Sequence, residues 1–154
     1  MTLITTGATR RAFLAAGSAG LASLGLGPLP AHADARIVAD EIKKLFGDRA
    51  IKTGRIKLDL PAIAENGLVV PLSFEVESPM TEADHVKAVH FFADGNPHPL
   101  LAAFMFTPLA PKAAASIRIR LAKTQKVVAV AEMSGGEIYS ATKEVKVTIG
   151  GCGG

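Results

Sequence analysis

The sequence has one cysteine, one tyrosine and no tryptophan in 154 residues. One cysteine excludes an internal disulfide and leaves any thiol redox chemistry without a resolving partner. The missing bridge and the missing tryptophan also remove two marks of an antibody-type immunoglobulin core. No run of lysine and arginine is interleaved with aromatics, so no nucleic-acid partner is expected. No internal repeat and no interdomain linker is visible, and the length fits one domain with a modest core. Neither Asp94-Gly95 nor Gly135-Gly136 resembles a phosphate loop; both read as turns. His85, His90 and His98, with Asp84 or Asp94 nearby, match no familiar metal-ligand spacing. A strand over this region would put His85 and His90 on opposite faces, so no metal is expected. Ser134 and Ser140 lack a nucleophile context, and no Ser–His–Asp arrangement is favoured.

What is present begins with the first 33 residues. Arg10-Arg11 precedes Ala12-Phe13-Leu14, an apolar stretch to Gly27, then Pro28, Pro30 and the small-x-small site Ala31-His32-Ala33. Charge, apolar run and cleavage site in that order describe an export signal. The arginine pair points to the twin-arginine (Tat) route, which carries folded proteins, and hence to the periplasm. The rival reading is a membrane anchor. Gly17, Gly20 and Gly25 interrupt the run, which is short against about 30 Å of hydrocarbon, so no membrane association is expected after cleavage. The formal charge is +3, and losing Arg10 and Arg11 leaves +1. The expected organisation is a signal over 1–33, a β-sandwich over 34–149 and an arm over 150–154.

The mature chain opens with a helical period. Asp34 can cap a helix over about 36–46, where Val38, Ile42 and Leu45 form a stripe widened by Ile37 and Phe46; Gly47 ends it. Period two follows. Strands are expected over 55–60, 68–77, 86–92, 100–107, 117–121 and 127–132, with a return strand beginning at 137–140 and a last strand over 145–149. Pro71 marks an edge or a bulge in its strand. The apolar run from Leu100 to Thr107 reads as buried on both faces. About seven short strands separated by proline- and glycine-rich turns predict a mainly β fold: an immunoglobulin-like antiparallel β-sandwich with a short N-terminal helix and a flexible glycine-rich C-terminal arm.

That arm is Gly150-Gly151-Cys152-Gly153-Gly154. Glycine adds no side chain to pack and carries a large ordering entropy, so the segment builds no core of its own. An extended chain covers about 3.3–3.6 Å per residue, which puts Cys152 up to roughly 10 Å beyond Ile149. The sequence supplies no helix N-terminus and no cation beside the thiol, so its pKa is expected near the ordinary value of about 8.5. This is geometry for presenting a thiol to another protein's active site. It is poor geometry for resident catalysis. Three readings remain open: a covalent carrier, a stand-alone thiol redox protein, and an interaction module linked as a homodimer through Cys152.

The glycine-bracketed cysteine directly after a strand, in a chain with a twin-arginine signal, resembles the SoxY family. These are the sulfur-carrier subunits of the bacterial periplasmic thiosulfate-oxidising system. Val70-Pro71-Leu72, Asn96-Pro97-x-Pro99, Phe104-Met105-Phe106-Thr107-Pro108 and Arg118-Ile119-Arg120 are similar to that family as well. The resemblance implies a carrier and not an enzyme, with no catalytic residue and no cofactor beyond a covalent sulfur adduct on Cys152. Gly150, Gly151, Gly153 and Gly154 carry over as the arm. The implied partners are SoxZ as a heterodimer, a c-type cytochrome that joins thiosulfate to the thiol, a hydrolase that releases sulfate, and a sulfane dehydrogenase.

Overall fold

The structure is a computed structural model that describes residues 35–150. The signal with Arg10 and Arg11, the Asp34 cap, and Gly151, Cys152, Gly153 and Gly154 lie outside the described residues. The helix α1, Ala35–Phe46, comes first. Nine strands follow: β1 (Ile51–Thr53), β2 (Ile56–Asp59), β3 (Ile63–Asn66), β4 (Val70–Val76), β5 (Val86–Ala93), β6 (Leu100–Met105), β7 (Ala113–Ile119), β8 (Gln125–Met133) and β9 (Ile138–Ile149). They form two sheets. The larger runs β1-β9-β8-β5-β6, with β3 also paired to β9; the smaller runs β2-β4-β7. The immunoglobulin-like sandwich expected from the strand pattern is the fold observed. Two short pairings depart from the antiparallel rule: β1 and β3 each run parallel to β9.

The alternating strands face each other across the core. In β4, Val70, Leu72, Phe74 and Val76 are buried and the residues between them are more exposed. They meet Val89, Phe91, Val127 and Ala129 from the larger sheet. Phe74 lies 4.9 Å from Phe91 and 5.1 Å from Phe104, ring centre to ring centre, within the range of favourable aromatic pairs. Pro71 sits past the reach of β2, whose pairing covers only Ser73 to Val76, so at that point β4 has β7 alone beside it. The proline thus occupies a local edge, where a missing N–H is tolerated.

The other face of the larger sheet is covered by α1. Val38, Ile42 and Phe46, spaced four apart, pack on Phe92, Val130 and Ile138. Leu45 is not part of that stripe and is 48% exposed. Four-residue spacing carries the buried line from Ile42 to Phe46, which turns Leu45 to solvent. Gly47 adopts φ 69° and its N–H donates to the Lys43 carbonyl, closing the helix as its position predicts. Among the described residues, no helix is long and apolar enough to cross a membrane.

Three other expectations are corrected. The strand β6 is not buried on both faces: it is the end strand of the larger sheet, with Leu100 and Met105 exposed. The doubly buried position belongs to β5, flanked by β8 and β6 and covered by α1 on one face and the smaller sheet on the other. The strand β7 covers 113–119, so Leu121 is buried past its end. The two segments expected at 137–140 and 145–149 are one continuous strand, β9.

Candidate functional site: the root of the cysteine arm

The described chain ends where β9 runs out, and that end is held on two sides. Along one side β3 pairs in parallel, Ile63 with Lys146 and Asn66 with Ile149. The Gly67 N–H donates to the Ile149 carbonyl at 2.8 Å, and the Leu121 N–H donates to the Gly67 carbonyl at 2.8 Å. Along the other side β8 has ended, and the Thr124 hydroxyl takes its place. It accepts from the Val147 N–H at 3.0 Å and lies 3.4 Å from the Val147 carbonyl. The tip of β9 is therefore stitched to two loops.

Gly150, counted with the arm in the sequence, packs against the loop between β7 and β8. A Cβ built on it would lie 2.2 Å from the Ala122 carbonyl oxygen, far inside van der Waals contact. The backbone of Ala122 approaches this residue as closely as it does because glycine has no Cβ.

Ala122 is itself anchored. Its N–H donates to Asn96 Oδ1 at 2.9 Å, and Asn96 Nδ2 donates to the Arg120 carbonyl at 2.8 Å. Gln125 Nε2 donates to Asn96 Oδ1 at 2.8 Å and to the Lys123 carbonyl at 3.1 Å, while its Oε1 accepts from the Gly95 N–H at 2.7 Å. Both amides are buried. The Asp94-Gly95-Asn96-Pro97 segment is legible as a turn from its residues alone. The hold of Asn96 on the loop beside Gly150 is not, because its partners lie 24 and 26 residues away.

Beside this root an open cleft of about 520 Å³ separates β6 from β7. His98, Arg118 and Arg120 line it, and the two exposed arginines make its rim positively charged.

The histidines and serines considered as possible sites are dispersed. His85 lies before β5 with Nδ1 3.0 Å from the Thr81 carbonyl oxygen, and His98 is exposed on the β5–β6 turn. His90 is buried beneath α1, edge-on to Phe46 at 5.4 Å and stacked near Phe92 at 6.4 Å. Burial lowers its pKa from the ordinary imidazole value, and the Glu132 carboxylate partly opposes that shift. Ser134 Oγ donates to the Ala83 carbonyl and accepts from the His85 N–H, a loop fastening. Among the described residues, no three His, Cys, Asp or Glu side chains gather as a metal-binding group.

The family model for the sulfur oxidation protein SoxY matches residues 42–152, most of the chain and through the cysteine itself. The chain belongs to the SoxY family. Among solved structures, the sulfur carrier protein SoxY from Chlorobium limicola f thiosulfatophilum is 35% identical, with a TM-score of 0.62; the match covers 73% of this chain and 96% of that one. A superoxide reductase (neelaredoxin) from Ignicoccus hospitalis aligns with a TM-score of 0.55 at 18% identity, over 75% of this chain and 94% of that one. A putative superoxide reductase from Thermotoga maritima aligns at 0.51 and 14% identity, over 63% and 93%. These last two show a shared fold with this chain. None of the curated proteins compared with it matches.

Proposed function

We propose that this chain is a sulfur carrier of sulfur oxidation that holds thiosulfate-derived intermediates covalently on Cys152. The observation that carries the reading is the continuity of the SoxY family match through Cys152, the only cysteine, two residues beyond the packed Gly150. The carrier function named for the Chlorobium limicola protein supports it.

The chemistry asks little of the carrier itself. The Cys152 thiolate forms a sulfur–sulfur bond to the outer sulfur of thiosulfate, and two electrons leave to an oxidant, a c-type cytochrome partner. Water then attacks the terminal sulfonate sulfur with the help of a hydrolase. Sulfate departs with the added oxygen, two protons are released, and a persulfide stays on Cys152. A sulfane dehydrogenase oxidises that remaining sulfur to the sulfonate level with oxygen from water, and passes the electrons to an external acceptor. The first step needs the thiolate, which is the minor fraction of a free cysteine at neutral pH. The partner's active site raises that fraction when the arm enters it. The chain thus acts as substrate carrier, with no catalytic group of its own, in a heterodimer with SoxZ. The Tat signal with Arg10 and Arg11 takes it to the periplasm. Gly150 roots the arm, and Gly151, Gly153 and Gly154 let its backbone enter narrow sites.

Intact mass spectrometry tests this. Wild-type protein incubated with thiosulfate, SoxZ and the cytochrome partner gains one thiosulfate adduct that reductant removes, and Cys152→Ser gains none. An unchanged mass in a system that is oxidising thiosulfate overturns the reading. A covalent homodimer as the sole product would favour the interaction module instead.

A further inference from the structure

The two buried amides beside the arm do more than close turns. We infer that Asn96, held in place by Gln125, is the positioning residue of the arm: it sets the direction in which the chain leaves the sandwich toward Cys152. The inference rests on the reading of Cys152 as the carrier site.

Five hydrogen bonds converge on these two side chains. Asn96 holds the Ala122 N–H and the Arg120 carbonyl; Gln125 holds the Gly95 N–H and the Lys123 carbonyl and joins the two side chains through Asn96 Oδ1. Asn96 is 6% exposed and Gln125 4%. Buried amides keep such sites only when their donors and acceptors are matched. None of the buried amide atoms of the pair lacks a partner, and their bonds tie down the backbone from Arg120 to Lys123.

What makes this fastening directional is the position of Gly150. The Ala122 carbonyl occupies the place where a Cβ of residue 150 would stand, 2.2 Å from it. Gly67 holds the Ile149 carbonyl from the β3 side and is itself bonded to Leu121. The segment Ile149-Gly150 is therefore bracketed by the two loops, one of which hangs on Asn96. Removing the Asn96 amide leaves the Ala122 N–H and the Arg120 carbonyl without partners, and the loop relaxes away from Gly150. Cys152 follows Gly150 by two residues in the sequence, so a change in the direction of the Ile149-Gly150 backbone is passed on toward the thiol. Displacements of about 1 Å can cost up to a hundredfold where reacting groups must meet in a defined geometry.

The test uses the full chain with a nitroxide on Cys152, its sole cysteine. Paramagnetic broadening of backbone amide signals in the strands beside the root, Ile63 to Asn66 and Lys146 to Ile149, which Asn96 does not hold, reports where the label dwells. The control is Met133→Ala, a buried site at the opposite end of β8. We expect Asn96→Ala to redistribute the broadening among these amides, Gln125→Ala to do so less, and Met133→Ala to keep the wild-type pattern despite its own loss of thermal stability. A wild-type pattern in Asn96→Ala overturns the inference, as does an equal redistribution in Met133→Ala. Should Asn96→Ala not fold, Gln125→Ala decides by the same criteria. No sulfur chemistry enters this readout. Failure of Cys152 to load thiosulfate would sink the carrier reading and leave the label result standing.

Discussion

The outer face of the larger sheet and the end where β9 runs out are fastened by different forces. Beneath α1 the contacts are apolar: Val38, Ile42 and Phe46 lie on Phe92, Val130 and Ile138. At the root of the arm they are hydrogen bonds among Asn96, Gln125, Gly67, Thr124 and loop backbone. Apolar burial is roughly proportional to area and has no direction, so it stabilises without aiming anything. Hydrogen bonds depend steeply on angle, and a glycine under a carbonyl admits little displacement. The stabilising work sits where no chain has to be aimed. The polar work sits two residues from the thiol.

The largest effect that separates the two regions is expected at Phe46, which is 4% exposed. Phe46→Ala removes a buried aromatic ring and should cost about 3 kcal/mol or more of folding stability, read from the urea midpoint. Loading of Cys152 by thiosulfate, per folded molecule, should stay at the wild-type rate. A fall in loading beyond the unfolded fraction would break the division between the two regions.

A smaller loss of stability with a larger effect on the arm is expected at Gly95. A Cβ there would lie 2.9 Å from Gln125 Cβ and 3.0 Å from Gln125 Oε1, both belonging to a buried side chain. Gly95→Ala forces Gln125 to shift, at about 1–3 kcal/mol for overpacking of this kind. Because Gln125 holds Asn96, loading per folded molecule should fall, the reverse of Phe46→Ala. Equal loading in the two variants would show that the polar knot has no part in presenting the thiol.

How far the sequence announces these regions differs in the same way. The helix stripe is legible at Val38, Ile42 and Phe46 because burial on one face writes a period, and Leu45 is misassigned by it. The alternation in β4 is equally plain. The strands β1 and β3 write nothing: Ile51–Thr53 is exposed throughout and Ile63–Asn66 buries Ala64 alone, so partners far along β9 define them. The apolar run of β6 misleads because composition does not tell an end strand from a central one. At the arm, the cysteine and its glycines stand out, whereas Asn96 and Gln125 look like ordinary turn and strand-start residues. Their importance comes from bonds across 24 to 30 residues, which no local pattern encodes.

The smallest expected effect sharpens the comparison from the apolar side. His90 is the polar exception beneath α1, and its Nδ1 is buried without a hydrogen-bond partner. Burial lowers its pKa, with Glu132 acting in the opposite sense. Glu132 is itself drawn off by Arg49 at 3.0 Å and Lys87 at 3.6 Å. The folded state therefore binds the His90 proton less readily than the unfolded chain, whose imidazole titrates near 6.5. Above that value both states are neutral and His90 adds no pH dependence. As pH falls through about 6.5 the unfolded chain takes up the proton first, so stability declines. Urea midpoints at about pH 7.5 and about pH 5 should show this decline in the wild type, and His90→Phe should reduce it. Loading of Cys152 at the two pH values, corrected for thiolate fraction, should not depend on the substitution. An identical decline in His90→Phe would place the acid sensitivity elsewhere. A changed loading would mean that the helix-covered face reaches the arm after all.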